Sequence, residues 1–162
     1  MTNISDSKLS MLRHTVATLA YRGGKAIRNA PADFGQFRAA ATTRTPADIL
    51  AHIGDLLDWA LGQARGKEEW HSSKPLPWAQ ETARFFSGLD ALDNRLASSE
   101  PLGIPAEKLF QGAIADALTH VGQIAMLRRM AGSPVRGENY SRADIVVGRV
   151  GPEQSPPVFE FD

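Results

Sequence analysis

Three ionisable residues stand where a helical core is expected. Asp116 and His120 are four residues apart. On a helix that spacing places them one turn apart and about 40° around the axis. His120 falls within an apolar stripe formed by Leu109, Ala113, Ala117, Val121, Ile124 and Leu127, and Asp116 falls at its margin. His52 sits at the margin of a second stripe, made of Ile49, Ile53, Leu56, Leu57 and Ala60. A carboxylate buried without a partner is expensive, and the remedies are pairing, protonation or a metal ion. An i, i+4 pair on one helix and a histidine on another form a facial ligand set. Positions stay open for water or substrate. Two imidazoles and one carboxylate suit zinc, iron, nickel or manganese. A metal-free Asp116–His120 ion pair, or a His120 bonded to a backbone carbonyl, meets the same spacing, so spacing alone leaves all three open.

Other polar and aromatic residues join the candidates. Asp55 projects toward the polar face of its helix, and Gln123 lies one turn from His120. Either has the chemistry to orient a ligand histidine from behind, and either also suits an ordinary surface. Trp59 lies on the same side of its helix as His52, where it would wall a pocket. Tyr21 or Tyr140 would offer a substrate a hydrogen bond or serve in packing. His71 follows the second helix in a loop, as a plain loop residue or an overhang of the site. His14 projects away from its stripe, toward solvent. The chain has no cysteine, which excludes disulfides, thiolate metal sites and cysteine nucleophiles.

The elements that must position these residues read as four amphipathic helices. Ser5 is the expected cap of a first helix over Asp6 to Ile27, with Leu9, Leu12, Val16, Leu19, Ala20 and Ile27 on one face. Gly23-Gly24 is expected to kink or weaken its last turns. Residues 29–44 hold Pro31 and Gly35 without a clean period and read as a long connection. Thr45-Pro46 pairs a capping hydroxyl with proline at the first helical position, opening a second helix that runs to about Arg65 before Gly66. A third helix opens near Pro77, with Trp78, Thr82, Phe85, Leu89, Leu92 and Leu96 close to a heptad. Pro105 opens a fourth, expected to run unbroken to about Ala131, where Gly132 and Pro134 stop it.

Four such helices without a convincing strand predict an all-α fold, a four-helix bundle with a long first connection that permits a crossover. The expected organisation is a bundle over residues 1–132 and an irregular C-terminal extension over 133–162, packed on it as one domain. Ser141-x-x-Asp144 resembles a capping box and predicts a short helix around Arg142 to Val147.

Size and charge narrow the function. A chain of 162 residues is long enough to bury roughly 70% of its unfolded surface. Lys+Arg and Asp+Glu are both 18, for a formal net charge of zero. That balance argues against a phosphate-backbone binder, although it leaves open that folding gathers Arg128, Arg129, Arg136 and Arg142 into a patch. The N-terminus lacks the basic and apolar runs of a signal peptide, and no stretch approaches 18 apolar residues. The expectation is a cytoplasmic protein without a membrane span, acting on a small molecule and forming a homodimer, since isologous dimers are common among bundles.

Two segments resemble a known family. Ile49-Leu50-Ala51-His52-Ile53-Gly54-Asp55 is similar to the helix-two histidine motif of DinB/YfiT-like proteins. Asp116-Ala-Leu-Thr-His120-Val-Gly122-Gln123-Ile-Ala-Met-Leu-Arg128 is similar to their helix-four motif, in which a ligand, three residues, a histidine, then Gly-Gln and an arginine are typical. The resemblance covers about residues 5 to 133 and implies a DinB/YfiT-like four-helix bundle. It also implies a metal triad of His52, Asp116 and His120. Many members carry histidine where this chain has Asp116, and related thiol-dependent isomerases carry a glutamate there, one methylene longer.

The resemblance further implies a metal-dependent enzyme. Relatives include transferases and isomerases that use bacillithiol, mycothiol or glutathione, among them mycothiol-dependent maleylpyruvate isomerase. A divalent ion lowers the pKa of a bound water or thiol, so thiol-dependent transfer or isomerisation and hydrolysis are both compatible with the site. With no cysteine in the chain, the attacking thiol would be exogenous. The alternative is a non-catalytic dimerising bundle of stress-response type, with a structural or degenerate site.

Overall fold

The computed structural model describes residues 4–161, with side chains from Ser7 onward. The order is α1 (Ile4–Ile27), a single 3-10 turn at Phe34–Gln36, α2 (Pro46–Ala64), α3 (Trp78–Ala97), α4 (Ala106–Leu109), a π-turn at Phe110–Ile114 and α5 (Ala115–Met130). α1 packs against α3 and α5, and α2 packs against the same two helices. The order around the core is therefore α1, α3, α2, α5. Helices α1 and α2, consecutive in the chain, face one another across a diagonal, which is what the long connection between them allows.

Local chemistry sets the helix ends. Thr45 caps α2: its Oγ1 accepts from the Asp48 amide at 3.1 Å, and Asp48 Oδ2 accepts from the Thr45 amide at 2.9 Å. This reciprocal box satisfies two amide donors that a helix start leaves unpaired. Gly66 and Gly132 follow α2 and α5 with φ of +74° and +75°, the left-handed conformation that glycine adopts without a Cβ penalty.

The stripes converge on one core that includes Val16, Leu19, Leu50, Ile53, Leu57, Phe85, Leu89, Leu109 and Ile124. α1 runs unbroken through Gly23-Gly24, against the expected kink. A Cβ on Gly23 would lie 2.5 Å from Phe85 Cζ, so the glycine serves the close approach of α1 to α3. Ser5, expected ahead of α1, falls inside it, and its side chain lies outside the described residues.

Arg128 is a buried cation, 4% exposed, that fastens the end of α5 to the end of α1. Its Nη1 donates to the carbonyls of Ala26 and Arg28, both at 3.0 Å, and its Nε to that of Ser133 at 2.8 Å. A positive charge against the last carbonyls of a helix is favoured by the helix dipole.

Three departures from expectation have local causes. The fourth helix is not continuous: the π-turn interrupts it, with Gly112 at φ −86° and ψ −105°. The short helix expected at Arg142–Val147 is absent. Tyr140–Arg142 makes only a 3-10 turn, because Asp144 accepts from Ser155 Oγ at 2.6 Å instead of capping a helix. The described residues also include one antiparallel pair of two-residue strands, β1 (Gly137–Glu138) and β2 (Glu160–Phe161). This tail is tied to α1. Tyr21 donates to Glu138 Oε1 at 2.7 Å, and Lys25 donates to Glu138 at 2.6 Å and Glu160 at 2.8 Å. Among the described residues, no helix is long and apolar enough to cross a membrane.

Candidate metal centre

α2 and α5 face each other across the core, and their facing margins bring His52, Asp116 and His120 together. One ligand atom from each lies within 4.8 Å of the other two. His52 Nε2 is 3.6 Å from Asp116 Oδ2, and His120 Nε2 is 3.4 Å from Asp116 Oδ1. The imidazole rings of His52 and His120 meet edge to face, centroids 4.7 Å apart. Ligands about 2.1 Å from a tetrahedral ion stand about 3.4 Å from one another. The two histidine–carboxylate separations are close to that value, each to a different Asp116 oxygen, so the group could hold a metal ion, and Asp116, despite its short side chain, reaches both histidines.

Behind His120, Gln123 Oε1 lies 2.9 Å from Nδ1. With a metal ion on Nε2, Nδ1 would carry the ring proton and donate it to this amide oxygen. Burial pushes the His52 pKa below its usual value, and neighbouring His120 adds to the shift. The neutral imidazole so favoured is the form a metal requires. Side-chain exposure falls from 47% for Asp116 to 24% for His52 and 13% for His120. Solvent therefore reaches the group from the Asp116 side.

No family model, no curated protein and no solved structure matches the chain.

A second group, Asp55, Asp58 and His71, also gathers ligand-type atoms within 4.8 Å. A cation of the chain's own already fills it. Arg84 Nη2 is 2.7 Å from Asp55 Oδ1 and 2.7 Å from Asp58 Oδ2, and 3.4 Å from His71 Nε2. Asp55 Oδ2 accepts from the Ser73 amide at 2.8 Å. Burial alone would raise the Asp55 pKa, but the Ser73 amide and Arg84 outweigh it and hold the carboxyl below its usual value. The group ties the loop of residues 65–77 to α2 and α3.

That role corrects two expectations. Asp55 does not project to a polar face or orient a ligand histidine. It is 3% exposed, and its polar partners are Arg84, Ser73 and His71. His71 pairs with Asp55 and Asp58 at 3.2 and 3.3 Å rather than overhanging the triad. Its neighbour Trp70 overhangs instead, ring centroid 5.7 Å from that of His52. Trp59 meets Trp70 edge to face at 5.8 Å and lines an open cleft of about 430 Å³ that Asp116 also lines. The tyrosines are engaged elsewhere. Tyr21 donates to Glu138, and Tyr140 packs on Tyr21 and under Arg22. His14 is exposed on α1.

Trp70 and Arg84 were not among the candidates. Asp55 and Asp58, three apart on α2, form a carboxylate pair that a helix brings to one side, which was the available sign of a cation between them. Nothing in the spacing of Trp70 announces its place over His52.

Proposed function

We propose that this chain is a divalent-metal-dependent enzyme acting on a small molecule, with His52, Asp116 and His120 as the ligands. The observation that carries the reading is the convergence of these three side chains from two helices, with Gln123 2.9 Å behind His120. The resemblance of the two motifs to DinB/YfiT-like proteins supports the same reading and its four-helix architecture.

Zinc, nickel, iron and manganese all accept two imidazoles and a carboxylate. An ion held there supplies Lewis acidity, enough to activate water or a low-molecular-weight thiol at neutral pH. The chain's own residues do the rest. His52 and His120 would each present an imidazole nitrogen, Asp116 a carboxylate oxygen, and Trp70 covers His52. With no cysteine in the chain, the nucleophile comes from outside: a thiol for transfer or isomerisation, water for hydrolysis.

Elemental analysis of protein purified without an affinity tag tests the proposal. Wild type should carry close to one equivalent of a first-row metal, and His120→Ala only a trace. Equal traces in both would sink it. Metal-loaded protein is then assayed with bacillithiol, mycothiol or glutathione plus electrophiles, and with ester and amide substrates, which separates transfer from hydrolysis.

A further inference from the structure

The geometry points to a substrate with a flat aromatic group beside its metal-binding oxygen or sulfur, seated in the cleft between α2 and the π-turn. This inference rests on the metal reading above.

Asp116 belongs to both features: it is a member of the triad and it lines the cleft. It is also the most exposed of the three ligands, so a molecule in the cleft abuts the open side of the ligand set. The cleft's remaining walls are mostly apolar. Leu56 and Trp59 come from α2, Gly112 from the π-turn and Ala115 from the start of α5. Its volume, about 430 Å³, lies within the usual range for small-molecule pockets.

An aromatic row leads from this wall into the metal centre. Trp59, Trp70, His52 and His120 meet edge to face in succession, with centroids 5.8, 5.7 and 4.7 Å apart. A flat ring continues such an arrangement through the same edge-to-face or offset contacts. The π-turn matters to the shape. Gly112 abuts Trp59, whose ring stands 3.7 Å from where a Cβ on residue 112 would be, so the π-turn and the indole together form one continuous wall. Single π-turns within α-helices occur often at functional sites. Besides Asp116, Gln111 and Thr119 are the polar members of the lining, and the Thr119 hydroxyl donates to the Ala115 carbonyl at 3.1 Å. The lining is mixed, with Leu56, Trp59, Gly112 and Ala115 beside Gln111, Asp116 and Thr119, which suits a flat ring bearing a polar substituent.

Two probes share one metal-binding head and differ in the tail: acetohydroxamate and benzohydroxamate. Each is titrated into Co²⁺-loaded protein, following the visible absorption of the ion. The preference is corrected by the ratio of the two affinities for Co²⁺ in buffer. The expected result is at least a tenfold corrected preference for benzohydroxamate. Trp59→Ala should remove most of it while Co²⁺ affinity stays within about twofold. Ala115→Leu, which fills the cleft with a good helix former, should weaken benzohydroxamate and leave acetohydroxamate unchanged. Co²⁺ bound with no corrected preference overturns the inference and leaves the metal centre standing. No Co²⁺ bound overturns both.

Discussion

Gln123 Oε1 sits 2.9 Å from His120 Nδ1, three residues further along the same helix. The contact orients the imidazole so that Nε2 faces Asp116, 3.4 Å away, and it offers an acceptor for a proton on Nδ1. Residues that hold a ligand histidine in this way typically contribute 10- to 100-fold to metal affinity, or about 1.4 to 2.7 kcal/mol. Gln123→Leu should lower Zn²⁺ affinity by about that range, read by competition with a chromophoric chelator. Gln123→Glu keeps an acceptor oxygen and should bind Zn²⁺ at least as well as wild type. An unchanged affinity in the leucine variant would remove Gln123 from the site.

Asp116 separates a metal centre from an ion pair. Its side chain is 47% exposed, and exposed ion pairs contribute about 0–1 kcal/mol to stability. A residue kept for metal binding therefore matters little to the metal-free fold. Asp116→Ala should reduce Zn²⁺ affinity at least 100-fold, while urea unfolding of the metal-free protein shifts by less than about 1 kcal/mol. A metal-free loss well above that figure would make Asp116 a structural ion-pair partner.

The main helices were legible in the sequence because periodicity reports which side of a helix is buried, and it set His52, Asp116 and His120 at facing stripe margins while the motif resemblance singled them out as a ligand set. The stripe from Leu109 to Leu127 is buried at every apolar position named for it, and Thr45-Pro46 opens α2 as its cap chemistry requires. What stayed hidden depends on contacts between elements. Asp55 reads as polar-face on a helical wheel, yet Arg84 from α3 and the Ser73 amide satisfy it in a buried place. The π-turn is invisible to a 3.6-residue period because it adds a residue between two stretches that each keep the period. Gly23 looked like a weak point because its partner, Phe85, lies 62 residues further along the chain.

Asp55 also makes stability depend on pH. Its folded pKa is lowered, against an unfolded value of about 3.9. The stability it contributes is therefore complete above the unfolded pKa. It is lost as pH falls through the lower folded value, where the carboxyl takes up a proton and its bonds to Arg84 and Ser73 weaken. Asp55→Asn should cost about 3 kcal/mol at pH 7, since it leaves a part-buried guanidinium with only the half-exposed Asp58 at 2.7 Å and the more distant Glu81 at 3.8 Å as carboxylate partners. The difference between variant and wild type should narrow below about pH 4. Urea unfolding of metal-free protein from pH 7 to pH 3 checks this, and a difference that stays constant across the range would contradict it. The loop should loosen in the variant too, seen as a red shift and greater quenching of the Trp70 emission in a Trp59→Phe, Trp78→Phe background.

Gly23 and Gly122 provide a matched pair, both on helices and with opposite surroundings. A Cβ on Gly23 would stand 2.5 Å from the ring of Phe85, which is 1% exposed, so the ring or the helix must shift. Overpacking a core usually costs about 1–3 kcal/mol. Alanine in place of glycine within a helix returns about 1 kcal/mol. Gly23→Ala should therefore destabilise by about 1 kcal/mol net, within a span set by how far Phe85 yields. Gly122 has no atom within 4 Å of a built Cβ, so Gly122→Ala should stabilise by up to about 1 kcal/mol through helix propensity alone. Thermal and urea unfolding of both variants reads the two signs. A double-mutant cycle with Phe85→Leu, a smaller side chain, should show Gly23→Ala becoming less harmful, since the shorter residue vacates the space that the new methyl needs. If Gly23→Ala remains as costly in the Phe85→Leu background as in the wild type, the close approach of α1 to α3 is not what that glycine serves.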